Sequence, residues 1–211
     1  MNLNYPIMLR LDGKKVVVVG GGKVGERKVS GLLGTNARII LISPDVTDHL
    51  NRLAGSGMIE WQKRSFSKDD VEGALLIFAA TNDNELNQSI KKAASDQQLV
   101  TIADDPEESD FHVPAHIQRG RLSIAVSTGG ASPIFARKIR EQLEQQFDEQ
   151  YKDYLDFLYS ARQRILKEVK DPSRKRKILT AIISEEFLNS PHREADFSHL
   201  LQEINDIEND V

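Results

Sequence analysis

Three glycines near the start of the chain have the spacing that a bound pyrophosphate requires. Gly20, Gly22 and Gly25 form a G-x-G-x-x-G pattern directly after a run of four valines. The first glycine permits a tight turn, the second lets a pyrophosphate approach the backbone, and the third lets the next helix pack closely. The N–H groups at the start of that helix, including those of Lys23 and Val24, would face the phosphates. The pattern predicts dinucleotide binding, with a purely structural glycine turn as the alternative.

Two carboxylates follow a later apolar segment and could take up a proton. Asp104 and Asp105 come directly after the predicted strand 99–103. Ligands of open α/β sheets bind outside the carboxyl ends of the strands, where a carboxylate can accept a proton while a hydride leaves to a nicotinamide. The alternative is a simple turn, because Asp and Pro both favour turns and Pro106 follows. The residue types alone leave these two interpretations about even.

A second loop of small residues precedes the predicted helix 134–147. Ser127, Thr128 and Gly129 offer hydroxyl and N–H groups that could bind an anion, although the loop could equally well only cap the helix. His116 lies shortly before this loop. The five histidines are scattered and no metal-ligand spacing occurs, so we predict no metal site.

The end of the second predicted strand bears on the choice of nucleotide. Ser43 stands where dinucleotide-binding folds usually place an acid for the ribose hydroxyls, and Pro44 and Asp45 follow it. No arginine comes directly after, so the sequence favours NAD over NADP. Thr81 and Asn82, followed by Asp83, end the fourth predicted strand and could line the ribose or nicotinamide side. For Asn82 and Asp83 the alternative is capping of the next helix, and both interpretations can hold together.

Alternating strands and helices must position these residues. Uniformly apolar β-branched runs are typical of strands that are buried on both faces of a parallel sheet. The first half of the chain therefore predicts a Rossmann-type, doubly wound α/β sheet. Its predicted strands are 15–19, 37–43, 58–62, 75–81 and 99–103, and its helices are 24–33, 47–54 and 84–94.

The pattern changes in the second half of the chain. Two strands, 111–117 and 121–127, are predicted around a Gln-Arg-Gly turn. The helix 134–147 follows, with Ser132 as N-cap and Pro133 at its first position. Beyond it the chain is predicted to be entirely helical, with a break at 171–173 and later helices at 178–188 and 199–207. The basic run 174–177 is best explained as a solvated helix face.

Composition excludes several classes of protein. The chain has 211 residues, no cysteine and a formal net charge of −4. Nucleic acid is therefore not expected as a main partner, since phosphate contacts need clustered positive charge. No apolar run approaches the roughly 20 residues needed to span a membrane, and the N-terminus lacks the pattern of a signal peptide. We expect a cytoplasmic protein that does not bind membranes.

Several longer strings of residues together resemble the precorrin-2 dehydrogenase family, whose unit also forms the N-terminal part of multifunctional sirohaem synthases. The likeness extends from Tyr5 to about Leu143, and the string Ile124–Pro133 is the most specific part of it. The strings that carry the resemblance are 6–9 (PIML), 18–28 (VVGGGKVGERK), 79–83 (AATND), 103–106 (ADDP), 110–111 (DF) and 124–133 (IAVSTGGASP).

The resemblance implies an NAD-dependent oxidation of precorrin-2 to sirohydrochlorin in sirohaem or cobalamin biosynthesis. It implies a homodimer and three parts, namely a dinucleotide-binding domain 1–111, a dimerisation segment 112–147 and a helical C-terminal domain 148–211. The essential aspartate of the family falls on Asp104, and a loop serine falls on Thr128. The implied cofactor contacts fall on Gly22, Lys23, Val24, Pro44 and Asp45.

Precorrin-2 carries eight carboxylates, so basic side chains near the cleft are candidates to bind them, although we expect at least half to be ordinary exposed charges. These candidates are Arg119, Arg121, Arg137, Lys138 and Arg140. Two alternatives stay open. The enzyme could also insert iron, with Asp104 and His116 assisting, or the chain could be a non-catalytic NAD-sensing module.

Overall fold

Five strands form a parallel sheet in the first half of the chain, as the sequence predicts. The computed structural model describes residues 4–103 and 105–206, and the chain divides into two units after Val113. The sheet order is β3-β2-β1-β4-β5, so the chain crosses from one side of β1 to the other after β3. This is the switch point at which doubly wound sheets bind ligands. The strands are β1 (Lys15–Val19), β2 (Arg38–Ile42), β3 (Glu60–Gln62), β4 (Leu76–Ala79) and β5 (Leu99–Ile102).

Helices cover both faces of this sheet, which explains the continuous apolar runs. Val16 and Val18 pack with the α1 residue Val29 on one face. Val17 and Val19 pack on the other face. Because every β1 side chain after Lys15 is buried, the strand shows no polar alternation. The connections are α1 (Lys23–Leu32), α2 (Asp48–Gly55), a 3₁₀ turn (Lys68–Val71) and α3 (Asn84–Ala93).

In the described part of the second unit, residues 114–206, an antiparallel hairpin is followed by five helices. The hairpin pairs β6 with β7 and places His116 opposite Ala125. Tyr154, Phe157 and Phe197 lie in the core of the helical region. The elements are β6 (Ala115–Arg119), β7 (Leu122–Val126), α4 (Pro133–Gln146), α5 (Gln150–Glu168), α6 (Pro172–Ala181), α7 (Glu185–Asn189) and α8 (Arg193–Asp206).

Three predicted elements of the second half have the wrong bounds. β6 begins at Ala115, because Phe111 packs edge-to-face on Phe78 instead of starting a strand. The predicted helix 178–188 is two helices, since the Ser184 hydroxyl accepts a hydrogen bond from the Phe187 N–H and starts a new one. The last helix starts at 193 rather than 199, and Ile207 lies outside the described residues.

The start of α4 follows the sequence prediction. Ser132 is its N-cap and accepts a hydrogen bond from the Phe135 N–H, and Pro133 occupies the first helical position. The basic run 174–177 lies on α6, whose N-cap is Asp171. The division of the second half into segments 112–147 and 148–211 stays a prediction.

Candidate cofactor site

The carboxyl ends of β1, β2, β4 and β5 meet at one edge of the parallel sheet. This brings together the glycine loop after β1, the turn after β2 and the Thr81–Asn82 segment after β4. The sequence predicts this grouping, since strands that run in the same direction end at the same edge.

Close packing excludes a side chain at three positions of the glycine loop. A Cβ on Gly20, whose φ is +113°, would lie 2.3 Å from the Ala80 carbonyl oxygen. A Cβ on Gly25 would lie 1.9 Å from the Gly20 oxygen, so α1 packs directly against the turn. Gly21, outside the spacing pattern, is equally restricted, with its Cβ 2.2 Å from the Asp45 oxygen. These glycines give the loop its path.

Gly22 differs, because it faces open space. No atom lies within 4 Å of a Cβ built on it. It is also the N-cap of α1 and has no side chain to satisfy the first-turn N–H groups, which include those of Lys23 and Val24. An open approach to unsatisfied N–H groups at a helix N-terminus suits a phosphate. The residues present therefore fit the pyrophosphate of a dinucleotide.

The Ser43 hydroxyl holds two loops together. It is buried, accepts a hydrogen bond from the Gly21 N–H at 3.0 Å and donates to the Asp45 carbonyl at 2.7 Å. The Thr47 N–H donates to the Gly21 carbonyl at 3.0 Å. Ser43 thus fastens the turn after β2 to the glycine loop. Pro44 and Asp45 are exposed beside it, and their contact with a ribose stays a prediction.

Sequence reasoning missed the partnership of Glu26 with Thr47. The Thr47 hydroxyl donates to the Glu26 carboxylate at 2.5 Å and accepts from the Leu50 N–H at 3.3 Å. The hydrogen bond from Thr47 holds the pKa of Glu26 below its usual range. α1 is thereby tied to the N-cap of α2. The sequence feature that could have drawn attention to Glu26 is the Glu-Arg-Lys string at 26–28, directly after the glycine pattern.

Two residues that follow β4, Thr81 and Asp83, form hydrogen bonds with the first turns of α3. The Thr81 hydroxyl donates to the buried Asn87 side chain at 2.7 Å, and Asp83 caps α3 by accepting from the Leu86 N–H. Asn82 is exposed between them. The capping alternative is therefore correct for Asp83, which is the N-cap of α3, while the nucleotide contacts of Thr81 and Asn82 remain predictions.

Asp104 itself lies outside the described residues, but its neighbours do not. Ala103 donates its N–H to the Ala79 carbonyl at 3.0 Å, and Asp105 donates its N–H to the Ile102 carbonyl at 3.3 Å. The Asp105 carboxylate accepts from the Glu108 N–H, which caps a turn. The chain on both sides of Asp104 therefore lies at the carboxyl end of β5.

The candidate substrate residues belong to the second unit. His116 is exposed on β6. The Thr128 hydroxyl accepts from the Ser132 N–H at 3.1 Å and donates to its carbonyl, while the Ser127 hydroxyl accepts from the Gly129 N–H. These bonds shape the loop that starts α4. Binding of substrate by His116, Ser127, Thr128 and Gly129 stays a prediction.

Carboxylates of the second unit neutralise three of the five candidate basic residues. Arg119 pairs with Glu144 and Glu149, Arg121 with Asp156, and Arg140 with Glu141 and Glu144. Arg137 and Lys138 are exposed on α4 and form no ion pair with another residue of the described ranges. The positive charges of these two side chains are therefore accessible to an anionic ligand.

Within residues 4–103 and 105–206, His, Asp and Glu side chains do not gather in threes as a metal ion would need. In the same part of the chain, none of the helices is both long and apolar enough to cross a membrane.

The parallel sheet, the open Gly22 position and the uncapped start of α1 together define a dinucleotide-binding Rossmann-type protein. Residues 7–115 match a family model described as NAD(P)-binding. Residues 119–146 match the central domain of a sirohaem biosynthesis protein, and residues 151–197 match the SirC C-terminal domain.

Whole-chain relatives narrow this class to one family. Precorrin-2 dehydrogenase of Priestia megaterium is 35% identical over 95% of this chain and 98% of its own length. The solved structure of SirC, precorrin-2 dehydrogenase, superposes with a TM-score of 0.81 at 34% identity, over 96% of this chain and all of that one. The chain belongs to the precorrin-2 dehydrogenase family.

A further relative is longer than this chain. Siroheme synthase 3 of Aeromonas hydrophila is 37% identical over 76% of this chain, but the match spans only 34% of that protein. The similarity to this siroheme synthase therefore concerns one third of its length.

Proposed function

We propose that this chain oxidises precorrin-2 to sirohydrochlorin with NAD as hydride acceptor, as a step of sirohaem or cobalamin biosynthesis. The observation that carries the proposal is the glycine loop, in which Gly20, Gly21 and Gly25 cannot accept a Cβ while Gly22 opens onto free space. That loop fits a dinucleotide, and the family relatives named precorrin-2 dehydrogenase match almost the whole chain.

In the proposed reaction, a substrate carbon loses a hydride and the substrate also loses a proton. The nicotinamide ring supplies the acceptor for the hydride when NAD is bound. Asp104 takes up the proton as general base, because a carboxylate is the base that this edge of the sheet offers. The products are sirohydrochlorin, NADH and one proton, so electrons and atoms balance.

The proposed cofactor contacts follow the geometry of the loops. The first-turn N–H groups of Lys23, Val24 and Gly25 bind the pyrophosphate, and the exposed turn at Pro44 and Asp45 receives the ribose. Arg137 and Lys138 are proposed to bind substrate carboxylates, because the other candidate cations already pair with carboxylates of their own unit.

We further propose that the protein is a homodimer. The start of α4 supports this, since Ile134 is 83% exposed and Phe135 is 55% exposed. Neighbouring large apolar side chains of this exposure are typical of association surfaces. Sedimentation of the wild-type protein and of Ile134→Asp tests the proposal, and a monomeric wild type would contradict it.

Anaerobic incubation of the purified protein with precorrin-2 and NAD tests the function. NADH absorbance and the sirohydrochlorin spectrum should rise together, and Asp104→Asn should abolish both while leaving NAD binding intact. Binding of NAD without oxidation would favour the sensing module. Insertion of Co²⁺ into sirohydrochlorin by the same protein would establish the chelatase alternative.

A further inference from the structure

Within residues 4–103 and 105–206, no strand pairs with the outer side of β5. The Leu99 N–H pairs with the carbonyl of Leu75, just before β4, at 3.1 Å, and the Ala103 N–H pairs with the carbonyl of Ala79 at 3.0 Å. The N–H groups of Val100 and Ile102 point the other way, because successive residues of a strand alternate in direction. β5 is an edge strand of the sheet, as β3 is on the other side, and such edges ordinarily present unpaired backbone groups.

Side chains from the following loop take the place of a sixth strand. The Val100 N–H donates to the Asp110 carboxylate at 2.8 Å, and the Ile102 N–H donates to the Ser109 hydroxyl at 2.9 Å. In turn, the Asp110 N–H donates a hydrogen bond to the Val100 carbonyl at 2.8 Å. We call Asp105, Ser109 and Asp110 the β5 clasp. Its bonds satisfy backbone groups that a bare edge leaves free.

The β5 clasp also fastens the chain immediately after Asp104. The Ser109 hydroxyl donates its proton to the Asp105 carbonyl at 2.7 Å, and the Asp105 N–H bonds to the Ile102 carbonyl. The same hydroxyl therefore links the edge of β5 to the residue next to Asp104. Lys91 adds a hydrogen bond to the Asp110 carboxylate from α3.

We propose that the β5 clasp is a positioning device for Asp104, with Ser109 as its central positioning residue. The inference rests on the proposed function, in which Asp104 is the base. Proton and hydride transfer demand that the base sit within hydrogen-bond reach of the substrate, and a small misplacement is costly. Ser109 restrains the residue after Asp104 through a hydroxyl that contacts neither NAD nor substrate in this scheme.

Two variants of Ser109 and a matched control test the proposal. Ser109→Ala removes the hydroxyl and its hydrogen bonds with Ile102 and Asp105, and should lower kcat for precorrin-2 oxidation by roughly 10- to 100-fold, with the KM for NAD unchanged. Ser109→Thr keeps the hydroxyl and should restore most of the lost kcat. Ser89→Ala is the control, since the Ser89 hydroxyl makes a comparable bond to a backbone carbonyl, at 2.8 Å, on α3. It should leave kcat unchanged.

Amide hydrogen exchange reports on the β5 clasp independently of catalytic activity. Hydrogen exchange at the Ile102 amide, whose N–H donates to the Ser109 hydroxyl, should accelerate in Ser109→Ala and stay slow in Ser109→Thr and Ser89→Ala. Slow exchange in Ser109→Ala would show that the hydroxyl does not hold the edge, and would overturn the proposal.

The outcomes separate this inference from the function on which it rests. An inactive wild type would overturn the proposed function and the inference with it. An active wild type with unchanged kcat in Ser109→Ala would overturn the inference alone. A Ser109→Ala protein that loses NAD binding in proportion to kcat would show a general structural role, which also overturns it.

Discussion

The glycine loop and the β5 clasp both follow strands of the same sheet, but different interactions fix their conformations. The glycine loop can pack closely because its glycines carry no side chain. A Cβ on Gly25 would lie 1.9 Å from a backbone oxygen. The β5 clasp keeps its path because side chains supply hydrogen bonds that a strand would otherwise make. A single added methyl group should therefore disrupt the glycine loop severely. Removal of single hydrogen bonds from the β5 clasp should reduce stability in smaller steps.

The largest effect is expected from Gly25→Ala. The methyl group would overlap the Gly20 oxygen, and backbone on both sides leaves no flexible group to move aside. We expect a loss of more than about 3 kcal/mol in the free energy of unfolding, because α1 must shift off the sheet. Urea denaturation measures this loss, and isothermal calorimetry should find no binding of NAD.

Two other glycines, one at each end of α1, provide controls. Gly31→Ala, in the last turn of α1 with nothing near its Cβ, should stabilise by about 0.5–1 kcal/mol, because alanine is the better helix former. Gly22→Ala should leave stability nearly unchanged and yet weaken NAD binding, because its methyl would occupy the phosphate approach. Equal stability of Gly25→Ala and Gly31→Ala would refute the steric account.

A smaller loss is expected from Phe111→Ala, which removes the apolar anchor beside the β5 clasp. The Phe111 ring meets Phe78 edge-to-face with centroids 5.4 Å apart, and Phe111 is half-buried. The change should cost about 2 kcal/mol in unfolding free energy, less than for a fully buried ring. NAD affinity should remain, since the glycine loop is held separately. A parallel loss of NAD affinity would contradict that separation.

Sequence patterns predict the glycine loop far better than the β5 clasp. Gly20, Gly22 and Gly25 have a fixed spacing because each meets a separate steric demand, and the valine run marks the buried strand before them. Ser109 and Asp110 occupy a loop without periodicity, and nothing in their types shows which backbone groups they meet. The role of Gly21 was equally hidden, since its constraint comes from Asp45, 24 positions later in the chain.

Ser43→Ala sharpens the comparison, because here the glycine loop does depend on a side chain. The substitution leaves the buried Gly21 N–H without its partner and frees the Asp45 carbonyl. We expect a loss of about 1–2 kcal/mol in unfolding free energy, the cost of an unsatisfied buried donor. NAD affinity should fall as well. Ser43→Thr, which keeps the hydroxyl, is the control for the lost hydrogen bonds, and an unchanged Kd in Ser43→Ala would argue against loop fastening.

The smallest effect, and the only one that pH should control, is expected at Asp110. Burial alone would raise the pKa of this carboxyl, but hydrogen bonds from Lys91 and the Val100 N–H outweigh it and hold the pKa below its usual range. A lowered folded-state pKa means that Asp110 stabilises the fold above its unfolded pKa of about 3.9. That contribution disappears as pH falls through the folded pKa.

Asp110→Asn should therefore be less stable than wild type by about 1 kcal/mol at pH 7, since a hydrogen bond to a charged group becomes a neutral one. The difference should persist to about pH 5 and shrink toward zero in stronger acid, where the wild-type carboxyl is protonated too. Urea unfolding at three pH values measures it. Asp12→Asn, at an exposed turn before β1, is the control and should show no such trend. A difference that widened in acid would have the opposite sign and would rule out the ionised carboxylate as the group that holds the β5 edge.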